Sequence, residues 1–167
     1  MKKLLIITGL LVGLILVLGL VAVRVVGFAP QERSAGFWIK GTLITTPVSD
    51  WSFTDQVEEI SVETRTWYFV PHSVNVYCAT YNGELYLFSA YYQGGEFPYE
   101  RLWNQNVLRD PHVRIKIGDQ LFNRVVSFVT DMTEKEAVLQ NFAKKYPTCF
   151  SRRDGKHAQY HLSLIHI

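Results

Sequence analysis

Cysteine is scarce in this chain of 167 residues: Cys78 and Cys149 are the only two. Two cysteines so far apart exclude a zinc knuckle or a disulfide framework, and both are expected to pack as small hydrophobic residues. Repeats and low-complexity runs are absent. No Gly-rich phosphate loop opens a helix and no His/Glu pair has zinc-site spacing, which argues against dinucleotide-fold and hydrolase readings. A basic surplus is missing too, once the first segment is set aside. Lys2, Lys3 and Arg24 are three of the 17 basic residues, and the 14 that remain face 15 acidic ones, a net charge of −1. The composition therefore gives no footing for nucleic-acid binding.

What the chain does have is apolar and aromatic surface to bury: 48% of its residues are hydrophobic and 14% aromatic. That suffices for one domain with a proper core. Leu4 to Val23 carries no charge and meets the roughly 20 apolar residues needed to span a bilayer. A signal peptide has a shorter apolar core and a small-x-small cleavage site, and GLVAVRVVGFAPQ offers no clean one. Residues 1–24 are therefore expected to be an uncleaved single-pass anchor in the plasma (inner) membrane, with a cleaved signal as the alternative. Lys2, Lys3 and the amino terminus argue for an inward N-terminus, against Arg24, Arg33 and Lys40 on the other flank; the domain is expected outside the cytoplasm. Residues 25–35, with Pro30 and a polar QERS patch, read as a linker, and 36–161 as the folded domain. Leu162 to Ile167 can be encoded as CTG TCT CTT ATA CAC ATC, the end of a widely used transposon sequencing adaptor. Residues 162–167 are thus expected to be a non-native read-through tail, which resequencing of the locus would test.

The middle of the chain reads as β-structure. Phe37 to Ile44 is a plausible first strand, and Ile60, Val62 and Thr64 alternate with Ser61, Glu63 and Arg65 in a second. In PHSVNVYCATYNGELYLFSAYY, Pro71 to Tyr92, Asn82-Gly83 is the preferred pair for a two-residue type I′ hairpin. That turn sets Tyr81 opposite Glu84, Cys78 opposite Leu87 and Val76 opposite Ser89, with Tyr77 and Phe88 on the other face. Both faces are largely apolar, which suits a small closed barrel with something packed outside it. Leu102, Trp103 and Val107 fit a short helix that Asp110-Pro111 stops. Val113, Ile115 and Ile117 alternate with Arg114 and Lys116, and Gly118-Asp119 turns this strand into Leu121 to Val129. Thr133-x-x-Glu136 is a capping box for a helix with Leu139, Phe142 and Tyr146 as its apolar stripe, ended by Pro147. Ala158 to Leu162 begins a last strand.

Pro71-His72-x-Val74-x-Val76, then Gly83-x-Leu85-Tyr86-x-Phe88-Ser89, resembles the second and third strands of the flavin-binding split-barrel superfamily, the pyridoxamine-phosphate-oxidase-like proteins. Trp103-x-x-Asn106 and Leu108-Arg109-Asp110-Pro111-x-Val113 follow as they do in that family. The Gly94-Gly95 loop and Gly118-Asp119-x-x-Phe122 are similar to its deazaflavin-dependent nitroreductase branch. The resemblance runs from about Trp51 to Tyr146 and rests on the whole pattern rather than on one motif. It implies a mostly β protein with flanking helices: a six-stranded split β-barrel, usually a homodimer, with FMN or a deazaflavin at the dimer interface.

By position, the resemblance puts Ser89 and the loop after it at the cofactor phosphate, with Arg101 as the basic residue of that region. The loop reads Ser89-Ala-Tyr-Tyr-Gln-Gly-Gly, without the lysine the family often carries there. Trp103 stacks on a flavin ring or anchors the core; Asn106 bonds a ribityl chain or the helix end. His72, Ser73 and Asn75 lie where the family places ring contacts. Arg65 reaches a phosphate or pairs with Glu63 or a neighbouring strand. Tyr91 and Tyr92 form a pocket mouth or a dimer face. No catalytic acid, base or nucleophile is demanded, since a flavin carries the redox chemistry itself. Two readings stand: a membrane-anchored flavin oxidoreductase acting on an unidentified small acceptor, a quinone being one candidate, or a tethered, non-catalytic barrel that binds or assembles without cofactor.

Overall fold

Asn82 and Gly83 both have positive φ, 53° and 80°, as a type I′ turn requires. They join β3 (His72–Tyr81) to β4 (Glu84–Ala90). Tyr81 pairs with Glu84, Cys78 with Leu87 and Tyr77 with Phe88, so the turn sets the expected register. This computed structural model describes residues 2–32, 34–90, 98–99, 101–150 and 162–167. The Gly94-Gly95 loop, Tyr91 and Tyr92, and most of the strand expected from Ala158 lie outside them.

β2 (Glu59–Thr64) and β5 (His112–Ile117) each bury every second residue, the signature of strands with one face on a core. β5 turns through Gly118, at φ 58°, into β6 (Gln120–Val125). β2 pairs with β3 on one side and β5 on the other, both antiparallel. Beyond β4 lies β8 (Leu162–His166), which also pairs with β7 (Ser127–Phe128). Val126 alone separates β6 from β7. This one bent segment therefore pairs with β5 through its first part and with β8 through its last, and so closes six staves into a barrel. The architecture is mostly β with flanking helices, the split-barrel fold the resemblance implies.

The barrel interior holds Trp51, Ile60, Val62, Val76, Cys78, Leu85, Leu87, Ile115 and Phe122. Its outer face around Tyr86 and Ala79 is covered by α3 (Met132–Lys145), through Val138 and Phe142, with Tyr146 just beyond. Covering by a helix explains why both faces of the β3–β4 hairpin are apolar. Asp131, not Thr133, caps α3: its Oδ1 accepts from the Glu134 N–H at 2.7 Å, and aspartate competes well for a cap. Lys145 pins the far end, donating to the carbonyls of Thr54 and Cys78 at 2.8 and 2.9 Å. α4 (Pro147–Phe150) follows.

α1 (Lys2–Val26) is apolar and exposed throughout. At 25 residues it is about 37 Å long, enough to cross a membrane. The segment after it is tied to the domain. Phe28 N–H donates to Trp38 O at 3.1 Å and Phe37 N–H to Phe28 O at 2.7 Å. Gly36 exchanges two hydrogen bonds with Ser73, and a Cβ on Gly36 would lie 2.3 Å from the Phe28 carbonyl oxygen. The chain then crosses the sheet, burying Ile39, and reaches β6 as the short parallel strand β1 (Thr42–Leu43). The strand expected over Phe37 to Ile44 is thus two residues long, because most of that stretch straps across the barrel instead of joining a ladder.

Candidate functional site

Strand alternation divides the expected site residues between two places. On the outer face, cross-strand register aligns Glu63 with Ser73 and Arg114, and Arg114 with Asn123. Glu63, Arg65, His112, Arg114, Asn123 and Val125 line a groove of about 330 Å³, together with Val113 and Arg124. Arg114 donates to Asn123 Oδ1 at 3.1 Å and stands 3.8 Å from Glu63. Arg65 pairs with Asp110 at 3.2 Å and keeps its side chain 69% exposed. Asp110 also accepts from His112 N–H and faces its ring nitrogen at 2.7 Å; these hydrogen bonds and Arg65 hold its carboxyl below the usual range, against the opposing effect of burial.

Glu63 forms the wall between groove and strap. Burial pushes its carboxyl above the usual value, against the lowering effects of the Ile39 N–H, Arg114, Lys40 and Arg24. Asn75, on the same face one strand away, accepts from Ser61 Oγ at 2.9 Å. Ser73 is fully buried beside Gly36, and its Oγ has no hydrogen-bond partner among the described residues.

The second place is a polar layer inside the barrel, beneath α2 (Leu102–Arg109). Trp103 and Val107 plug the core. Asn106 donates to Thr64 Oγ1 at 3.0 Å, and Thr64 donates to the carbonyl of His72 at 3.0 Å. Asn104 donates to Ser89 Oγ at 2.9 Å. Burial pushes the His72 imidazole below its ordinary value, and its Nδ1 has no hydrogen-bond partner among the described residues. Arg101 is the N-cap of α2, half-exposed, and its carbonyl accepts from the N–H groups of Asn104 and Gln105.

His72, Ser89, Trp103 and Asn106 therefore gather with or beneath α2, while Arg65, Ser73 and Asn75 belong to the outer face. Glu63, His112, Arg114 and Asn123 of the groove, and Thr64 and Asn104 of the inner layer, were not among the expected site residues. The outward positions of β2 and β5 carried the signal, but alternation by itself reads them as a solvated face; only the pairing order makes them neighbours.

No family model matches the chain, nor does any curated protein sequence. Its likenesses are to solved structures. A conserved hypothetical protein from Mycobacterium tuberculosis is 18% identical, with 69% of this chain and 74% of that one covered at a TM-score of 0.50. A protein provisionally named pyridoxamine 5′-phosphate oxidase from Listeria innocua is 22% identical, covering 68% and 84%, with a TM-score of 0.49. A NimC/NimA family protein from Clostridium acetobutylicum is 15% identical, covering 66% and 73%, with a TM-score of 0.46. At such identities the likeness speaks for the fold.

Proposed function

We propose that this chain is a membrane-anchored split barrel that binds FMN or a related deazaflavin and passes hydride or electrons to a small acceptor. It acts as a homodimer, held at the plasma membrane by α1 with its domain outside the cytoplasm. The observation that supports this reading best is the groove on the outer face. Arg65 and Arg114 bring two guanidinium groups to its wall, each with solvent access, and guanidinium suits bidentate phosphate binding. A volume of about 330 Å³ lies at the low end for ligand pockets and suits the phosphate and ribityl portion, leaving the ring to be covered by a second barrel. Asn75 and Asn123 supply amides on the same face. A bound flavin supplies the hydride and one-electron chemistry, and the chain's task is to position it and exclude water.

The test is an absorbance titration of the full chain in detergent with FMN and, separately, a deazaflavin. Saturable binding with a shifted flavin band is expected. Arg114→Gln should weaken it roughly tenfold or more, the loss of one charge-assisted hydrogen bond. Failure of a folded dimer to bind either compound overturns the reading.

A second reading is favoured by the inner layer, where Ser89 and Asn106 already have protein partners. In it the barrel is a tethered, non-catalytic binding or assembly module, and Arg114→Gln leaves both fold and partners unchanged.

A further inference from the structure

The turn between β2 and β3 reads Thr66-Trp67-Tyr68-Phe69-Val70, and its three aromatic residues point into solvent. Trp67 is 76% exposed, Tyr68 43% and Phe69 92%. The turn is braced. Thr66 Oγ1 donates to Val70 O at 2.5 Å, and the Trp67 and Tyr68 rings meet edge to face at 5.3 Å. Phe69 has φ 66°, a left-handed conformation that is costly for a bulky side chain. The base is clamped to the end of α2: Arg65 pairs with Asp110, and Arg109 donates to the Arg65 carbonyl. Three large rings held outward on a braced turn are costly in water and add nothing to the barrel core.

Their position relative to α1 gives them a partner. Ser73, bonded twice to Gly36, is four residues from Phe69, at most about 14 Å of chain. Gly36 sits in the tight hairpin with Phe28, two residues past the end of α1. The Phe28 and Phe37 rings, both exposed, lie 5.9 Å apart there. The exit of the apolar helix and the aromatic turn therefore share one end of the barrel. α2 adds exposed Leu102 and Leu108, and exposed Arg109 adds positive charge. Tryptophan and tyrosine favour the depth where acyl chains meet headgroups, and arginine suits lipid phosphate.

We propose that the Trp67–Tyr68–Phe69 turn is a second membrane contact, inserting into the interfacial layer of the bilayer that α1 crosses. The barrel then lies against the lipid instead of hanging from α1 alone. This rests on α1 remaining in the chain as a spanning helix, part of the function proposed above. Continuity of the turn with the helix exit selects lipid as the occupant, ahead of a second protein.

The experiment uses the full chain in nanodiscs of phosphatidylcholine and phosphatidylglycerol with acyl chains brominated near the headgroup. Trp51 and Trp103 are buried in the barrel and Trp38 is half-buried with Arg24 over its ring, so Trp67 is the tryptophan that insertion presents to bromine. Bromine should quench the wild-type emission, Trp67→Phe should lose most of that quenching, and Trp38→Phe should keep it. Equal quenching in wild type and Trp67→Phe overturns the proposal. So does protection of Trp67 from aqueous acrylamide without bromine quenching, which marks a second protein copy as the cover. An alkaline carbonate wash of proteoliposomes separates the two readings. Release of the chain overturns the spanning role of α1 together with this proposal. Retention of the chain with unaltered quenching in Trp67→Phe overturns the aromatic contact alone.

Discussion

The backbone N–H of Ile39 donates to Oε2 of Glu63 at 2.8 Å, fastening the strap between α1 and β1 to the second strand of the barrel. Replacing Glu63 by alanine leaves that buried N–H unpaired, a cost of about 1–3 kcal/mol. Amides of residues 36–44 should then exchange faster with solvent deuterium, while those of β3 and β4 keep their protection.

The same carboxylate gives the strap a pH dependence. Burial raises the Glu63 carboxyl above its ordinary value. In the window just above that value the native chain holds a proton that the unfolded chain has released, so this contribution to stability falls as pH rises through the window. Glu63→Gln keeps an acceptor for Ile39 and cannot ionise. Protection factors of the strap amides, with the intrinsic pH dependence of exchange divided out, should fall with rising pH in the wild type and stay flatter in Glu63→Gln.

His72 acts with the opposite sign and in a higher window. Burial lowers its imidazole below the ordinary 6.5. As pH falls beneath that value the unfolded chain takes up a proton first, so stability declines on acidification. Urea midpoints measured between about pH 8 and pH 5 should fall in the wild type and stay flatter in His72→Leu.

Trp103 and Asn106 hold α2 on the barrel. Trp103 is 5% exposed within the core cluster, so Trp103→Ala should cost about 3–5 kcal/mol in urea denaturation. Asn106→Ala removes the bond to Thr64 and should cost about 1–3 kcal/mol. Unchanged stability in Trp103→Ala would overturn the anchoring role of the ring.

Deleting residues 162–167 removes the stave between β4 and β7, along with the Ile167 N–H bond to Leu85 O. The shortened chain should lose its cooperative thermal transition and self-associate through the freed edges, as read by circular dichroism and size-exclusion chromatography. The origin of these six residues is a separate matter that resequencing of the locus decides; the barrel needs a strand in their position.

Local chemistry made much of this protein legible from its sequence. The run from Leu4 to Val23 specifies an apolar helix, Asn82-Gly83 a hairpin and its register, and the alternation through Val62 and Ile115 two half-buried strands. In each case the determinant lies within a few residues of its effect. The tertiary structure decided what depends on pairing order. It joined Glu63, Arg114 and Asn123, from three strands, into one groove. Alternation alone puts His72 and Ser73 on opposite faces of β3, but the tertiary structure decided what covers each, Gly36 of the strap lying against Ser73. It drew Phe37 to Ile44 into a strap, in which Ile39 is buried and its N–H is bonded to Glu63. It also placed the exposed aromatic turn beside the helix exit through the bonds of Gly36 with Ser73, residues whose proximity no local pattern reports.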